Sequence, residues 1–162
     1  MDVLARRRRL VLILLAACAP KAGAPVGVSE NRPVAHASSV APSPGAPNPI
    51  PVDFRSTYAK LGARFASQGH FVGRYDAQIW ASADAADAWN KSSTFPDGAR
   101  LIEEHLERGA DRVGPLLMME RRSNAWRWTM VASDGRVILD GDANACAQCH
   151  AEAPHDSVFV VR

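Results

Sequence analysis

Three stretches of the chain carry three different patterns of apolar and polar positions. Residues 10–17 form an uncharged apolar run directly after Arg6, Arg7, Arg8 and Arg9. Residues 19–52 show no hydrophobic period. Periodic patterning begins at residue 53. Phe54, Tyr58, Leu61 and Phe65 recur at i, i+4, i+7 and i+11, which predicts a helix capped by Asp53 and closed at Gly69. Residues 78–81 read as a short strand, and Ser82 heads a short helix through Asp84, Ala88 and Trp89. Phe95-Pro96-Asp97-Gly98 is a strong turn signal. Residues 99–106 fit either a helix or a strand. Gly114 and Pro115 open a strand over 116–121. Trp126, Met130 and their neighbours alternate up to Asp134-Gly135, and 136–139 follow, the pattern of a β-hairpin. No internal repeat is evident. The predicted class is α+β: an antiparallel sheet core with a few helices.

The first segment reads as an address. The apolar run is too short to span a bilayer as a helix, which takes about 20 residues. It matches the apolar region of an export signal. Leu15-Ala16-Ala17-Cys18 is similar to a bacterial lipobox, in which the cysteine is lipidated and becomes the new N-terminus. The expected division is a signal peptide over 1–17 and a lipid-anchored Cys18. Ala19 in place of an aspartate favours the outer membrane, facing the periplasm.

Residues 19–52 hold eight of the eleven prolines and no aromatic residue. Alanine, serine, glycine and valine fill the gaps, and such a composition cannot offset the entropy of ordering the backbone. Residues 18–52 therefore read as a lipidated N-terminus followed by a disordered tether. Fully extended, the tether reaches about 100 Å. The folded domain is expected over 53–162, which contains every tryptophan, tyrosine and phenylalanine. The formal charge of the 162-residue chain is +2. Four arginines and Asp2 leave with residues 1–17, so fifteen basic side chains then face sixteen acidic ones. A near-neutral domain without a concentrated basic face argues against a nucleic-acid partner.

The chemistry concentrates at Cys146-Ala147-Gln148-Cys149-His150, the C-x-x-C-H signature of c-type haem attachment. Two thiols at this spacing can add across the two vinyl groups of one porphyrin. The next residue, His150, then supplies an axial imidazole nitrogen to the iron. A disulfide between Cys146 and Cys149 leaves the histidine unexplained, and a zinc site lacks a second cysteine pair. Haem is attached outside the cytoplasm, and the export signal independently supplies that route. Cys18, Cys146 and Cys149 are all the cysteines present, so none is left for a structural disulfide.

The motif lies near the C-terminus, with no methionine after it. Ile79-Trp80 and Trp89, then Phe95-Pro96-Asp97-Gly98 with Leu101, Ile102 and Glu104, the strand Ala125-Trp126-Arg127-Trp128, and Asp156-Ser157-Val158-Phe159-Val160 after the motif follow in order. As an ordered set over residues 75–162 they resemble the cytochrome P-460 and cytochrome c′-beta family. The resemblance implies an antiparallel sheet carrying one covalent haem c. It also implies one of two activities: hydroxylamine oxidation with a lysine cross-linked to the porphyrin, or binding of nitric oxide and similar small gases at a five-coordinate haem. At the position of that lysine this chain has Glu103, and Lys21, Lys60 and Lys91 do not align. The family's distal carboxylate falls near Leu116 or Leu117, with Glu120 close by. The gas-binding reading is therefore expected ahead of a periplasmic electron-transfer cytochrome and of a hydroxylamine oxidoreductase. Dimerisation rests on the resemblance alone, and a periplasmic redox partner would follow from electron transfer.

Other residues have plain alternatives. Glu103 and Glu104 are expected at the surface, the usual place of glutamate. His70, His105 and His155 each compete for the role of second axial ligand, with surface or packing roles expected. Met118, Met119 and Met130 could each give His/Met coordination and a simple electron carrier, but packing in the sheet core is expected. Arg121, Arg122 and Arg127 fit haem propionates or a solvated sheet face equally. Phe54, Phe65, Phe71, Phe95 and Phe159 are all open as distal caps. Trp126 and Trp128, two apart, share a sheet face directed to the core.

Overall fold

Alternation and turns, not helix propensity, set the architecture. The structure, a computed structural model, describes residues 47–159. The predicted export signal, Cys18, most of the tether and Val160 lie outside the described residues. Six strands run in chain order across one antiparallel sheet: β1 (Ala59–Ala66), β2 (Tyr75–Ala81), β3 (Arg100–Glu107), β4 (Val113–Arg122), β5 (Ala125–Val131) and β6 (Val137–Gly141). Helices α1 (Phe54–Thr57), α2 (Ala83–Lys91) and α3 (Asn144–His150) complete the fold. The α+β expectation holds at this level. Among the described residues no helix is long and apolar enough to cross a membrane.

The predicted long helix from Asp53 is corrected. Only one turn forms, Phe54–Thr57, and Leu61 and Phe65 belong to strand β1. An i, i+4 spacing also keeps two residues on one face of a strand, so the pattern did not discriminate. A bulge between Leu61 and Phe65 lets the strand keep both pairings. Gly62 sits within it at φ +62°, a conformation that favours glycine. The ambiguous 99–106 segment is strand β3. The hairpin over 126–139 forms as expected, and the turn at Gly98 has φ +88°. A second tight turn, Ser123-Asn124, joins β4 to β5 with both residues at positive φ. Ser82 precedes α2, but its Oγ accepts the Arg100 N–H at 3.0 Å and does not cap the helix. Packing begins a little before Asp53, because Ile50 is buried against the sheet.

The strand register sorts side chains onto two faces. On the back, Ile102, Met118 and Val131 pack with Ile50 and Phe54. On the front, Ala81, Leu101, Trp126 and Trp128 pack with Ala85 and Ala88 of α2, Phe95, and Cys146 of α3. Trp126 and Trp128 thus share the core-facing side as expected. One cross-strand row on the front reads Leu61, Ile79, Glu103, Leu117, Met130, Leu139. Glu103 is its one charged member.

Gly114 in β4 faces the ring of buried Tyr75. A Cβ there would stand 2.6 Å from Tyr75 Cε1, closer than two carbons tolerate. Gly114→Ala must displace this buried ring, and overpacking of this kind costs about 1–3 kcal/mol. Chemical denaturation is expected to report a lowered midpoint. An unchanged midpoint would show that the front face is looser than described.

Candidate functional site

Two groups of chemistry-bearing residues meet on the front face. The first is the C-x-x-C-H helix. Cys146 and Cys149 are free thiols three residues apart on α3, hence on one side of it. Cys146 is half-buried in the front core and Cys149 is exposed. Burial pushes the Cys146 thiol up, so it stands protonated. His150 ends the helix with its ring 4.6 Å from that of Trp128 and 5.5 Å from that of Phe159. Its Nδ1–H donates to the Ser157 carbonyl at 2.8 Å, which leaves Nε2 as the nitrogen open to a metal. Burial pushes the imidazole down, so it is neutral and able to coordinate.

The segment after the motif explains why His150 is fixed. Asp156 and Ser157 take left-handed backbone conformations in succession, φ +44° and +62°. Asp156 Oδ2 accepts the Phe95 N–H at 2.9 Å, and its Oδ1 lies 3.3 Å from Arg121 Nη1. The Asp156 carbonyl accepts Trp126 Nε1–H at 2.9 Å. The turn is thereby tied to the 95–98 turn and to strands β4 and β5, and the next carbonyl, of Ser157, holds His150. Arg121 also lies over the Trp126 ring.

The second group was not expected. Glu103 projects from β3 with His105 two residues on, and His70 reaches it from the β1–β2 connection. His70 Nδ1–H donates to Glu103 Oε2 at 2.7 Å. His105 is fully buried; its Nδ1–H donates to the Pro115 carbonyl at 3.1 Å. His105 Nε2 lies 3.1 Å from Glu103 Oε1, out of line for a hydrogen bond, and has no hydrogen-bond partner. Burial pushes the Glu103 carboxyl up, but its contacts with His105 and His70 outweigh that and hold it at about 2. The Glu103 hydrogen bond in turn raises His70. Donor atoms of the three lie within 4.8 Å of one another, a two-histidine, one-carboxylate set able to hold a divalent cation. The two groups adjoin: the His70 and His150 rings are 6.0 Å apart with 20° between their planes.

Several expectations change. Glu103 and Glu104 are not surface residues. Glu103 is 17% exposed, and Glu104 is buried on the back, paired with Arg55 and accepting Trp80 Nε1–H. Glu120 pairs with Arg100 on the back and does not share a face with Glu103. Met118 is buried on the back, whereas Met119 and Met130 face the front. His155 packs near Phe95, with its ring 5.7 Å away. Arg122 and Arg127 pair with Glu120 and Asp140. Lys91 pairs with Asp87 on α2. Phe54 and Phe95 are buried in the two cores, while Phe71 and Phe159 are exposed near His105 and His150. The alternation Leu101-x-Glu103-x-His105 would have revealed the polar pair on an apolar face. Nothing local flagged His70.

Models of known protein families give no match to the chain, and no curated protein matches it. The geometry of the site is therefore the ground for any functional reading.

Asp156→Ala removes the acceptor of a buried N–H and the partner of Arg121. The expected cost is about 1–3 kcal/mol, with faster hydrogen exchange across 155–158 and at Phe95. Unchanged exchange at those amides would show that the turn does not hold the His150 segment.

Proposed function

We propose that the chain is an exported, mono-haem c-type cytochrome resembling the cytochrome P-460 and c′-beta family. One haem would be joined through Cys146 and Cys149, with His150 as an axial ligand. The reading is carried by one observation: two unpaired thiols share a side of a helix whose last residue is an imidazole with Nδ1 engaged and Nε2 open. Those donors fit the group. Two thiols supply the thioethers, and a neutral, carbonyl-anchored imidazole is a good axial base. The haem, when bound, supplies an iron that takes small ligands and exchanges single electrons.

The protein's own residues bear on what is bound. Ile79, Leu117, Met130 and Leu139 present an apolar surface on the same sheet face as α3. These apolar side chains flank the Glu103 carboxylate, a combination that disfavours anions and admits neutral diatomic ligands. We therefore propose binding of nitric oxide or a similar small gaseous or nitrogenous ligand, for sensing, scavenging or detoxification. Hydroxylamine oxidation with a haem–lysine cross-link has Glu103 where the resemblance calls for the lysine. Electron transfer to a periplasmic partner is the second reading, and the closeness of His70 to His150 favours it. A lipid on Cys18 would hold the domain at a bacterial membrane, with the outer membrane favoured.

The absorption spectrum of the reduced, purified protein with and without nitric oxide tests this. The proposal expects a saturable spectral change on adding the gas. A haem spectrum that nitric oxide leaves unaltered would favour the electron carrier.

A further inference from the structure

We infer that His70, Glu103 and His105 form a binding site for a divalent transition-metal ion of the zinc or ferrous kind, separate from the haem-attachment residues. None of the three belongs to the C-x-x-C-H motif, so the inference goes beyond the haem reading and does not depend on it.

One buried nitrogen carries the argument. His105 has no exposed surface. Its Nδ1–H donates to the Pro115 carbonyl at 3.1 Å, which fixes the ring and leaves the lone pair on Nε2. That lone pair stands 3.1 Å from Glu103 Oε1, itself an acceptor, and has no hydrogen-bond partner. Two acceptors this close repel each other unless a cation lies between them. A proton on Nε2 does not resolve the contact. It points out of line with Oε1, and a buried N–H without an acceptor is costly. A metal ion needs no such line. Two donors at right angles on one ion, each roughly 2.0–2.2 Å from it, stand about 3 Å apart. The 3.1 Å between Nε2 and Oε1 is that spacing.

His70 completes the set from the other carboxylate oxygen. Its Nδ1 lies 2.7 Å from Glu103 Oε2, and donor atoms of all three residues lie within 4.8 Å of one another. Donors on a tetrahedral ion are about 3.4 Å apart, so the set closes by little more than an ångström. His70 is the member placed to make that move. It sits on the β1–β2 connection, whereas Glu103 and His105 are fixed in β3. Ser67 Oγ–H holds the His70 carbonyl at 2.6 Å, so the ring can turn while the backbone stays. As the ion enters, the proton on His70 Nδ1 moves to Nε2 or to solvent, and the ion takes its place.

The donors also select the ion. Two imidazoles and one carboxylate suit Zn²⁺ or Fe²⁺, whereas Ca²⁺ and Mg²⁺ take oxygen donors. Three protein donors leave at least one position open to water or a small ligand. The His70 and Glu103 side chains, 33% and 17% exposed, give a way in. Behind them the Tyr75 and Phe71 rings pack 5.5 and 5.4 Å from that of His105, an apolar shell around the inner ligand. With His70 committed to this ion, the axial position that gas binding requires stays free of it.

The test adds Zn²⁺ to the purified, exported full-length protein after chelator treatment, with any open thiol first alkylated so that cysteine cannot bind. Titration calorimetry is expected to find saturable uptake of one Zn²⁺ per chain. X-ray absorption at the zinc edge, which haem iron does not obscure, is expected to show nitrogen and oxygen ligands with two imidazoles. Glu103→Gln and His70→Gln are each expected to weaken binding about ten-fold or more. Asp134→Asn, which removes an exposed carboxylate in the β5–β6 turn, is expected to leave it unchanged. A wild type without saturable zinc uptake overturns the inference without needing any variant to fold. So does a zinc shell with fewer than two imidazoles, or binding that both site variants keep. None of these outcomes touches the haem reading, which is decided by whether the protein carries covalent haem.

Discussion

The site depends on one carboxylate placed where an apolar residue would be expected. Glu103 occupies the middle of a cross-strand row whose other members are Leu61, Ile79, Leu117, Met130 and Leu139. A charge in such a setting is costly unless it is paired and hydrogen-bonded. His105 from the same strand and His70 from the β1–β2 connection supply that pairing. The connection, with its left-handed Phe71 and its Ser67 clamp, is thereby tied over the front face. Replacing Glu103 by an apolar residue would suit the row, but it would release His70 and leave His105 without its acidic neighbour.

The opposite anchor is the Asp156-Ser157 turn. It draws bonds from Phe95, Arg121, Trp126 and His150 onto two adjacent residues. The 95–98 turn and the segment after the C-x-x-C-H motif, far apart in sequence, are therefore one structural unit. This gives a physical reason for two of the family-like pieces to occur together: the first supplies an N–H donor that the second accepts. His150 is held by that unit from one side, and His70 is held by Glu103 from the other. The two imidazoles are brought together by separate networks and not by a bond between them.

Much of the sheet was legible in the sequence, because alternation and turn residues are local signals. Asp134-Gly135 marked the last hairpin, and 95–98 marked the turn before β3. The misreading at 53–69 arose where a bulged strand and a helix share the i, i+4 spacing of Leu61 and Phe65. The C-x-x-C-H spacing was legible as a motif, and its place on helix α3 became visible only in the structure. The Glu103 cluster was not, because two of its members look like ordinary surface residues until the register of β3 is known. His70 reaches them only through tertiary structure. The 101–105 alternation was the one available hint, and it was hidden by the ambiguity between strand and helix over 99–106.

The central claim is that Cys146, Cys149 and His150 are a covalent haem site. The most direct measurement is the mass of the peptide spanning residues 144–159, released by proteolysis from protein exported by a host that attaches haem. The account predicts a peptide heavier by one haem, with neither thiol open to alkylation. A peptide of unmodified mass whose two thiols both alkylate would contradict it.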